Sequence, residues 1–523
     1  MTARRLPVLV VLVLALTALV LVDRSVSTSV RTDSLAAIAL MPLASPPEAV
    51  SSAFFCAGGA AKPGAAFDST LVIANPGSTP ADVLVASYPG ALASDTEGAA
   101  AVAKLKPLRK KITVGPRSRA DVHLADIQVS PFAAAVVETN DPDIAVERRI
   151  SGSSGARASS SPCASAPSET WYLPTGTTTR DARELLAVFN PFPVDAVVDV
   201  TFQTSDGFRT PPELQSLPVA GRQVRMLDIS ESVPRIEQLS ATVVSRAGRV
   251  IVDRLQSFDG SDPKHPAGLA VMLGAPSAAP VWTFGEGQVI DGLNEVITVA
   301  NPSDDILKAQ LEVTLDDPST NGVVDPIPVT VPAHAYAQVT MRDQTRVPPG
   351  IGHSVTVRSI NKVGLVAERV ITASAPAPRH GYAPALGAPL VATRWVLADG
   401  SAVSGQIAEF VVVVNPSPDT IARVRFTALA QGQPLAIDGL QDVEVAAGGR
   451  LTVELGQHVS RPDLPVIVEA DRPVVIERGL YMAEGKGISL AAGIPLSEAA
   501  SLPASPPPST TTIPAEAPPP PSS

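Results

Sequence analysis

Four apolar runs in this chain each stop at an Asn-Pro dipeptide: Asn75-Pro76, Asn190-Pro191, Asn301-Pro302 and Asn415-Pro416, spaced 115, 111 and 114 residues apart. Such a period marks a tandem array of four related units. The runs, for example Leu185-Leu186-Ala187-Val188-Phe189 and Phe410-Val411-Val412-Val413-Val414, are rich in strand formers. Proline has no N–H for a ladder and pushes the residue before it towards extended backbone. An Asn side chain can bond the backbone two residues on, so each dipeptide reads as a strand ending in a turn.

Other signals recur in step. After the turn, apolar and polar residues alternate, as in Ala309, Leu311, Val313 and Leu315 against Lys308, Gln310, Glu312 and Thr314, the pattern of an antiparallel strand with one wet face. Before it lies a short aromatic strand leading to glycine: Trp171 to Gly176, Trp282 to Gly287, Trp395 to Gly400, and Phe54 to Gly59 in the first copy. All three tryptophans thus hold one equivalent, core-packing position. Each copy also carries an acidic residue beside an arginine, Glu147-Arg148, Asp253-Arg254, Glu368-Arg369 and Glu477-Arg478, and ends in a short strand running to Pro167, Pro276, Pro389 or Pro495.

Six or seven strand signals in about 110 residues, with turn residues between them, predict a β-sandwich in every copy. A propeller is the alternative repeat architecture, although a blade needs only about 40 to 50 residues. The expected organisation is all-β: an N-terminus (1–5), a transmembrane or signal segment (6–22), a stalk (23–52), four sandwich units (53–167, 168–276, 277–389, 390–496) and a disordered Pro/Ser/Thr-rich tail (497–523). Fifty-two prolines and 36 glycines suit this turn-rich design. Short junctions such as Ser277-Ala278-Ala279-Pro280 restrict the angle between neighbours, and four units of typical strand length laid end to end reach roughly 100 to 140 Å.

Arg4-Arg5 precede 17 uncharged residues, Leu6 to Val22, about 25 Å as a helix against a hydrocarbon core of about 30 Å. No Ala-x-Ala cleavage pattern follows and Asp23-Arg24 comes at once, which favours a retained anchor over a cleaved signal; in either case the bulk of the chain is exported. Cysteine usage agrees. Cys56 stands on the first strand and Cys163 on the last strand of copy one. Counting back from the closing prolines sets Cys163 against Met272, Ala385 and Ala491, while Cys56 matches Leu173, Phe284 and Leu397. A Cys56–Cys163 disulfide therefore replaces an apolar pair, and closing a loop of roughly 100 residues stabilises by up to about 4 to 5 kcal/mol.

The search for chemistry yields structural readings. Six single histidines without His-Glu-x-x-His or Cys-x-x-Cys spacing argue against zinc, and the loop Asp316 to Gly322 lacks the spacing of a calcium hand. There is no Gly-x-Ser-x-Gly elbow, and Gly152-Ser153-Ser154-Gly155 is one residue short. No catalytic residue, metal or cofactor is expected. A net charge of −11 and a pI near 5.1 argue against nucleic acid; the one basic cluster, Lys104, Lys106, Arg109, Lys110 and Lys111, reads as a solvated hairpin or a contact for an anionic polymer. The acidic-Arg dipeptides carry charge in every copy. Neighbouring strand residues face opposite ways, so the two do not pair with each other, and an inward or junction-facing arginine needs carboxylate or carbonyl partners. This makes them braces of the fold.

The hydrophobic N-terminal segment followed by Trp strand, Asn-Pro turn and acidic-Arg strand resembles an uncharacterised domain-of-unknown-function family of exported actinobacterial proteins, over about residues 53 to 496. The units also resemble the immunoglobulin-like class, with departures: the expected cystine joins first and last strands, and three copies have none. The family resemblance implies an envelope location and brings no activity. The expectation is a non-enzymatic scaffold or interaction array, tethered to the membrane by its N-terminal helix with its bulk extracytoplasmic, or secreted. Its partner is an envelope protein or polymer; the alternative is a cell-wall polymer binding protein.

Overall fold

A computed structural model describes residue 37 and residues 39–152, 158–316, 322–483 and 487–503. The expected N-terminus and anchor (1–22), the first part of the stalk, the tail from 504, and parts of the loops at 153–157 and 317–321 lie outside these residues. Among the described residues no helix is long and apolar enough to cross a membrane.

The chain is all-β, with two antiparallel layers in each copy that merge into larger sheets in copy four and between copies one and two. In the third copy one sheet orders Val281–Phe284, His353–Ser359, Leu307–Leu315 and Ile327–Val331, and the other orders Ala335–Thr340, Leu293–Asn301, Val366–Ala373 and Gly381–Leu386. The first strand of the unit therefore carries the tryptophan. The Asn-Pro strand lies at the centre of the second sheet beside the acidic-Arg strand, whose far edge pairs with the closing strand. Copy one repeats this order. In copy four the acidic-Arg strand, Val466–Met482, runs unbroken through both sheets and fuses them. Between copies one and two, Val224–Met226 pairs in parallel with Gly90–Leu92, so two sheets become one of eight strands.

The core sits between the two sheets of each copy, and alternation explains it. Along Leu307–Leu315 the apolar residues are buried while Lys308 is exposed, and Val198, Val200, Phe202, Val424 and Phe426 are buried in the matching strands. The tryptophans are at most 1% exposed. No closed propeller is present, because the two sheets of each copy face one another instead of standing as single-sheet blades. The strands also exceed the six or seven expected. Copies one and three have eight, copy two nine and copy four ten; short or solvent-facing strands such as Gly207–Arg209 in copy two and Gln433–Ala436 in copy four bury little and leave no apolar pattern. Among the described residues, helical structure is confined to short pieces. Asp228 caps the turn Ile229–Ser232, and Asp95 caps Thr96–Val102, just ahead of the basic cluster Lys104 to Lys111.

The four copies are not strung out. Their closing strands, Ala158–Pro162, Gly268–Leu273, Gly381–Leu386 and Gly487–Ala492, pack mainly in cyclic order, first to second, second to third, third to fourth and fourth back to first, with a lesser approach of second to fourth across the centre. Ser159 Oγ and Ser161 Oγ accept from the N–H groups of Val271 and Leu273 at 3.2 and 3.1 Å. On the other side Ser160 N–H donates to Ser489 Oγ at 2.9 Å. The units thus form a ring with the closing strands at its centre, which overturns the expectation of an extended array. The short junctions do restrict the angle between neighbours, and that restriction turns the chain through a full circle.

Two terminal segments read as unstructured are built into this ring. Met41, Leu43, Ala44 and Ser45 of the expected stalk are all buried, and Leu40, Met41 and Pro42 lie on the axis with residues of all four closing strands. The cavity left there is about 60 Å³, room for a few water molecules at most and none for a threaded polymer. At the other end Ala500–Ser501 pairs with Val391–Ala392, and Glu498 meets Arg394 at 3.2 Å.

Candidate functional site

The acidic-Arg dipeptides meet one another at the four joints of the ring. Arg148 pairs with Asp253 of the second unit (2.6 Å), Arg254 with Glu368 of the third, Arg369 with Glu477 of the fourth, and Arg478 with Glu147 of the first (2.7 Å). In each dipeptide the arginine faces into its own unit and the acid reaches into the preceding one. Opposite facing of neighbouring strand residues makes this possible: one two-residue motif serves two joints.

Each joint carries hydrogen bonds beyond the ion pair, although Nε of Arg148, Arg254, Arg369 and Arg478 is buried without a protein partner. The turn after the first strand aims N–H groups at the incoming carboxylate: Ala57 and Gly58 at Asp253 (2.6 and 2.9 Å), Gly285 and Glu286 at Glu477 (2.5 and 2.9 Å), Ala398 and Asp399 at Glu147 (2.8 and 3.3 Å). In the second unit Pro174 removes the first of these donors. Thr175 compensates, giving its N–H to Glu368 at 3.0 Å and its hydroxyl to the other carboxylate oxygen. The arginines Arg148, Arg254 and Arg369 also donate to the carbonyls of Gly58, Thr175 and Glu286. Burial alone would make Arg254, Arg369 and Arg478 easier to deprotonate; the carboxylates of Glu368, Glu477 and Glu147 reverse this and raise their pKa. A buried ion pair needs such extra hydrogen bonds to offset its desolvation.

A second recurring acid went unnoticed in the sequence. Six residues before each Asn-Pro stand Glu184, Glu295 and Glu409, all buried, with Ser69 in the first copy. Burial pushes the carboxyls of Glu184 and Glu409 up to about 8, against the pull of Arg254 and Arg478 respectively. Glu295 lies 2.9 Å from the buried His353. The glycine after the tryptophan strand makes room for this residue: a Cβ on Gly176 would stand 2.4 Å from an oxygen of Glu184. Such a run of Glu at a fixed offset from Asn-Pro was available to inspection, masked by the apolar residues around it.

The Asn side chains are buried knots. Asn301 Oδ1 accepts from Ser303 N–H at 3.1 Å, while its Nδ2 donates to the carbonyls of Asp305, Val331 and Pro332. Asn75, Asn190 and Asn415 likewise accept from Gly77, Phe192 and Ser417. Pro76, Pro191, Pro302 and Pro416 follow as the turns begin.

Cys56 and Cys163 form the disulfide. Their equivalents need correcting. Ladder register pairs Arg148 with Ser161, Arg254 with Met272, Arg369 with Ala385 and Arg478 with Ala491. Cys163, whose N–H donates to Val146, therefore matches Gly274, Gly387 and Gly493, whose N–H groups donate to Val252, Ala367 and Ile476. The closing proline misled by two residues, since Ser165 and not Pro167 occupies the proline position in copy one. The tryptophan favours the glycine: a Cβ on Gly274 or Gly493 would stand a tight 3.3 or 3.2 Å from Cε3 of Trp171 or Trp395. Copy one has the smaller Phe54, and Cys163 uses the room.

The fourth joint differs from the others because its sides, the last and first units, are not consecutive in the chain. The N-terminal strap fills it. Leu43 N–H donates to Ser165 Oγ (3.2 Å) and Ala44 N–H to the Pro495 carbonyl (3.0 Å). Ser45 N–H donates to the Ile144 carbonyl (2.9 Å), and Ser45 Oγ accepts from Ile144 N–H (2.8 Å). In the second and third units the matching carbonyls, of Val250 and Leu365, accept from Ser168 and Ala279 and from the indoles of Trp171 and Trp282. Ser45 takes up this role where Phe54 has no N–H. Asp399 adds a buried polar centre, bonded to Arg149 (2.7 Å) and to Ser160. Burial would raise its pKa, and the guanidinium of Arg149 first among its neighbours holds it below the usual carboxylate range.

Two surface features complete the candidates. Lys104, Lys106, Arg109, Lys110 and Lys111 are all exposed, the last three on the edge strand Leu108–Val114, with Lys111 paired to Asp82 at 2.8 Å. Between units two and three opens a cleft of about 450 Å³, bordered by Phe258, Lys264, His265, Asn294, Gln338 and Tyr382. At its edge Asp181, Asp262 and His265 converge, the one group of three histidine and carboxylate side chains with metal-ligand spacing among the described residues.

The family model described as "Family of unknown function (DUF5719)" matches residues 125–351, from the first unit into the third. Comparison with curated proteins finds no match. Among solved structures, Thermotoga maritima 1070 aligns at 16% identity and a TM-score of 0.18, over 21% of this chain and 95% of its own. The α-L-rhamnosidase of Streptomyces avermitilis in complex with L-rhamnose aligns at 11% identity and a TM-score of 0.11, over 83% of this chain and 57% of its own. Similarity this low carries no inference about activity, and the family whose model matches is one of unknown function.

Proposed function

We propose that the chain is a non-enzymatic, membrane-tethered extracytoplasmic platform of the bacterial cell envelope, a ring of four immunoglobulin-like units that presents its outer faces to an envelope partner. One observation carries this reading. The charged motif that recurs in every unit is consumed at the joints, where each arginine and each acid has a partner in the neighbouring unit. A motif used this way sets shape and leaves the outer sheets to vary. The strap supports the tether: it leads from the joint between units four and one back towards the uncharged run Leu6 to Val22.

Proximity labelling from the ring in its native host tests the platform. Labelling concentrated on one envelope assembly supports it, and diffuse labelling of the exported proteins overturns it. The exposed basic edge favours one second reading, binding of an anionic cell-wall polymer. Retention on isolated walls that falls when Lys104, Lys106, Arg109 and Lys110 are changed to Gln would replace the platform with a polymer anchor.

A further inference from the structure

We propose that Asp181, Asp262 and His265 of the second unit bind one divalent transition-metal ion of the zinc type at the edge of the cleft between units two and three. Asp181 immediately precedes the strand Ala182–Asn190, and the other two stand in the loop between Ile251–Phe258 and Gly268–Leu273. One ligand atom from each lies within 4.8 Å of the other two, and His265 Nδ1 is 3.0 Å from Asp181 Oδ2. Zinc bonds of about 2.0 to 2.2 Å set ligand atoms roughly 3.3 Å apart in a tetrahedron. Small side-chain adjustments reach that spacing.

The donor set selects the ion. Calcium and magnesium favour all-oxygen shells, whereas one imidazole nitrogen with two carboxylate oxygens suits zinc and its neighbours. Binding removes the Asp181–His265 hydrogen bond, so the neutral imidazole carries its proton on Nε2 and gives Nδ1 to the metal. A fourth position remains for water or for a donor from a molecule in the cleft.

A hydrogen bond joins Asp181 and His265, and Asp262 Oδ1 accepts from Lys264 N–H at 2.9 Å, which holds the three side chains together at the cleft edge. Two carboxylates this close repel, and a cation relieves them. The neighbouring lysine does not, because Lys264 Nζ turns to Glu237 at 3.3 Å. The loop is also organised beforehand. His265 N–H donates to the Asp262 carbonyl at 3.0 Å, and Asp259 N–H donates to the Asp181 carbonyl at 3.0 Å. The His265 ring packs on Phe258 with centroids 4.9 Å apart. Nor does the fold require this triad. At the same offset before Asn-Pro the other units have Ala66, Gly292 and Gln406. Sequence reading passed over it because Asp181 is distant in the chain from the other two.

Titration of the untagged full chain in detergent with Zn²⁺, followed by calorimetry, tests the site. One equivalent should bind saturably, and Asp262→Asn and His265→Ala should each weaken binding at least about tenfold. His334→Ala, at an exposed histidine paired with Asp304, should leave it unchanged. Co²⁺ in place of Zn²⁺ should give visible d–d bands that His265→Ala abolishes. Absence of stoichiometric uptake, uptake that both variants retain, or equal uptake of Ca²⁺ overturns the proposal. Unchanged far-ultraviolet circular dichroism of Asp262→Asn confirms that loss of binding is not loss of fold.

Discussion

Arg478 of the last unit and Glu147 of the first, 331 residues apart in the chain, form a two-point ion pair with N–O distances of 2.7 and 3.0 Å. Both side chains are 1% exposed. No consecutive stretch of chain links the two sides of this joint, so the pair and its surroundings convert a tandem repeat into a ring. The joints within the array need the same chemistry less, because a short linker already holds their two sides together.

That difference is measurable. Glu147→Ala and Glu368→Ala each leave a buried arginine without its carboxylate, at a cost of about 3 to 5 kcal/mol. Chemical denaturation should report similar losses for both. Combining Glu147→Ala with Asp399→Ala, which also strips Arg149 of a partner, should open the ring and raise the radius of gyration in small-angle scattering above the roughly 23 Å of a compact body of this length. The Glu368→Ala chain should stay compact. Equal scattering from the two would show that the fourth joint is not what closes the ring.

The strap makes a second case. A chain beginning at residue 37 keeps the contacts of Leu43, Ala44 and Ser45 and should melt like the full chain; one beginning at residue 47 should melt at a lower temperature. Leu43 alone, 1% exposed, contributes about 1.5 to 3 kcal/mol by its burial. Ser45→Ala should cost about 1 to 3 kcal/mol, because Ile144 N–H is left buried without an acceptor. Identical melting of the two truncations would remove the strap from the fold.

The architecture was legible where local chemistry and packing agree. Asn-Pro turns, alternating strands and the shared tryptophan position each follow from one stretch of chain, and they gave an all-β repeat with its core residues. What escaped depends on meetings between distant segments. Whether Glu147 faces inward or outward cannot be decided by parity along one strand, and its partner Arg478 is three units away. The small residues around Leu43 carry no strand period, so the strap read as a stalk. Counting back from the closing proline matches Cys163 to Met272, whereas the ladder places Gly274 there. Asp181 and His265 failed to register as neighbours for the same reason of distance.

Buried carboxyls give a pH dependence of known sign. Glu184 and Glu409 have pKa values pushed up to about 8 by burial, from an ordinary 4.5. Between these values the folded chain holds protons that the unfolded chain has released. Their stabilising contribution is therefore complete below about pH 4.5 and is lost as pH rises through about 8. Urea denaturation at pH 6 and pH 9 should find the protein weaker at pH 9. Glu184→Gln with Glu409→Gln should flatten the difference, since a glutamine keeps the neutral shape at either pH. An undiminished slope in the double variant would place the titration elsewhere.

The last test concerns the trade between tryptophan and cystine in the first unit. Units two to four place an indole against a glycine, and the Ile144 carbonyl can take a second donor, as the Val250 carbonyl does from both Ser168 and Trp171. Phe54→Trp alone should press the indole on Cys163 and cost about 1 to 3 kcal/mol by overpacking. Cys56→Leu with Cys163→Gly removes the disulfide and should cost about 2 to 5 kcal/mol. The triple variant copies the pattern of its siblings, so its loss should be smaller than the sum of the two. Denaturation midpoints of the four proteins in the cycle give the coupling directly. Strict additivity would mean that the glycine in the other units serves something other than the indole, and that the cystine of the first unit is not its replacement.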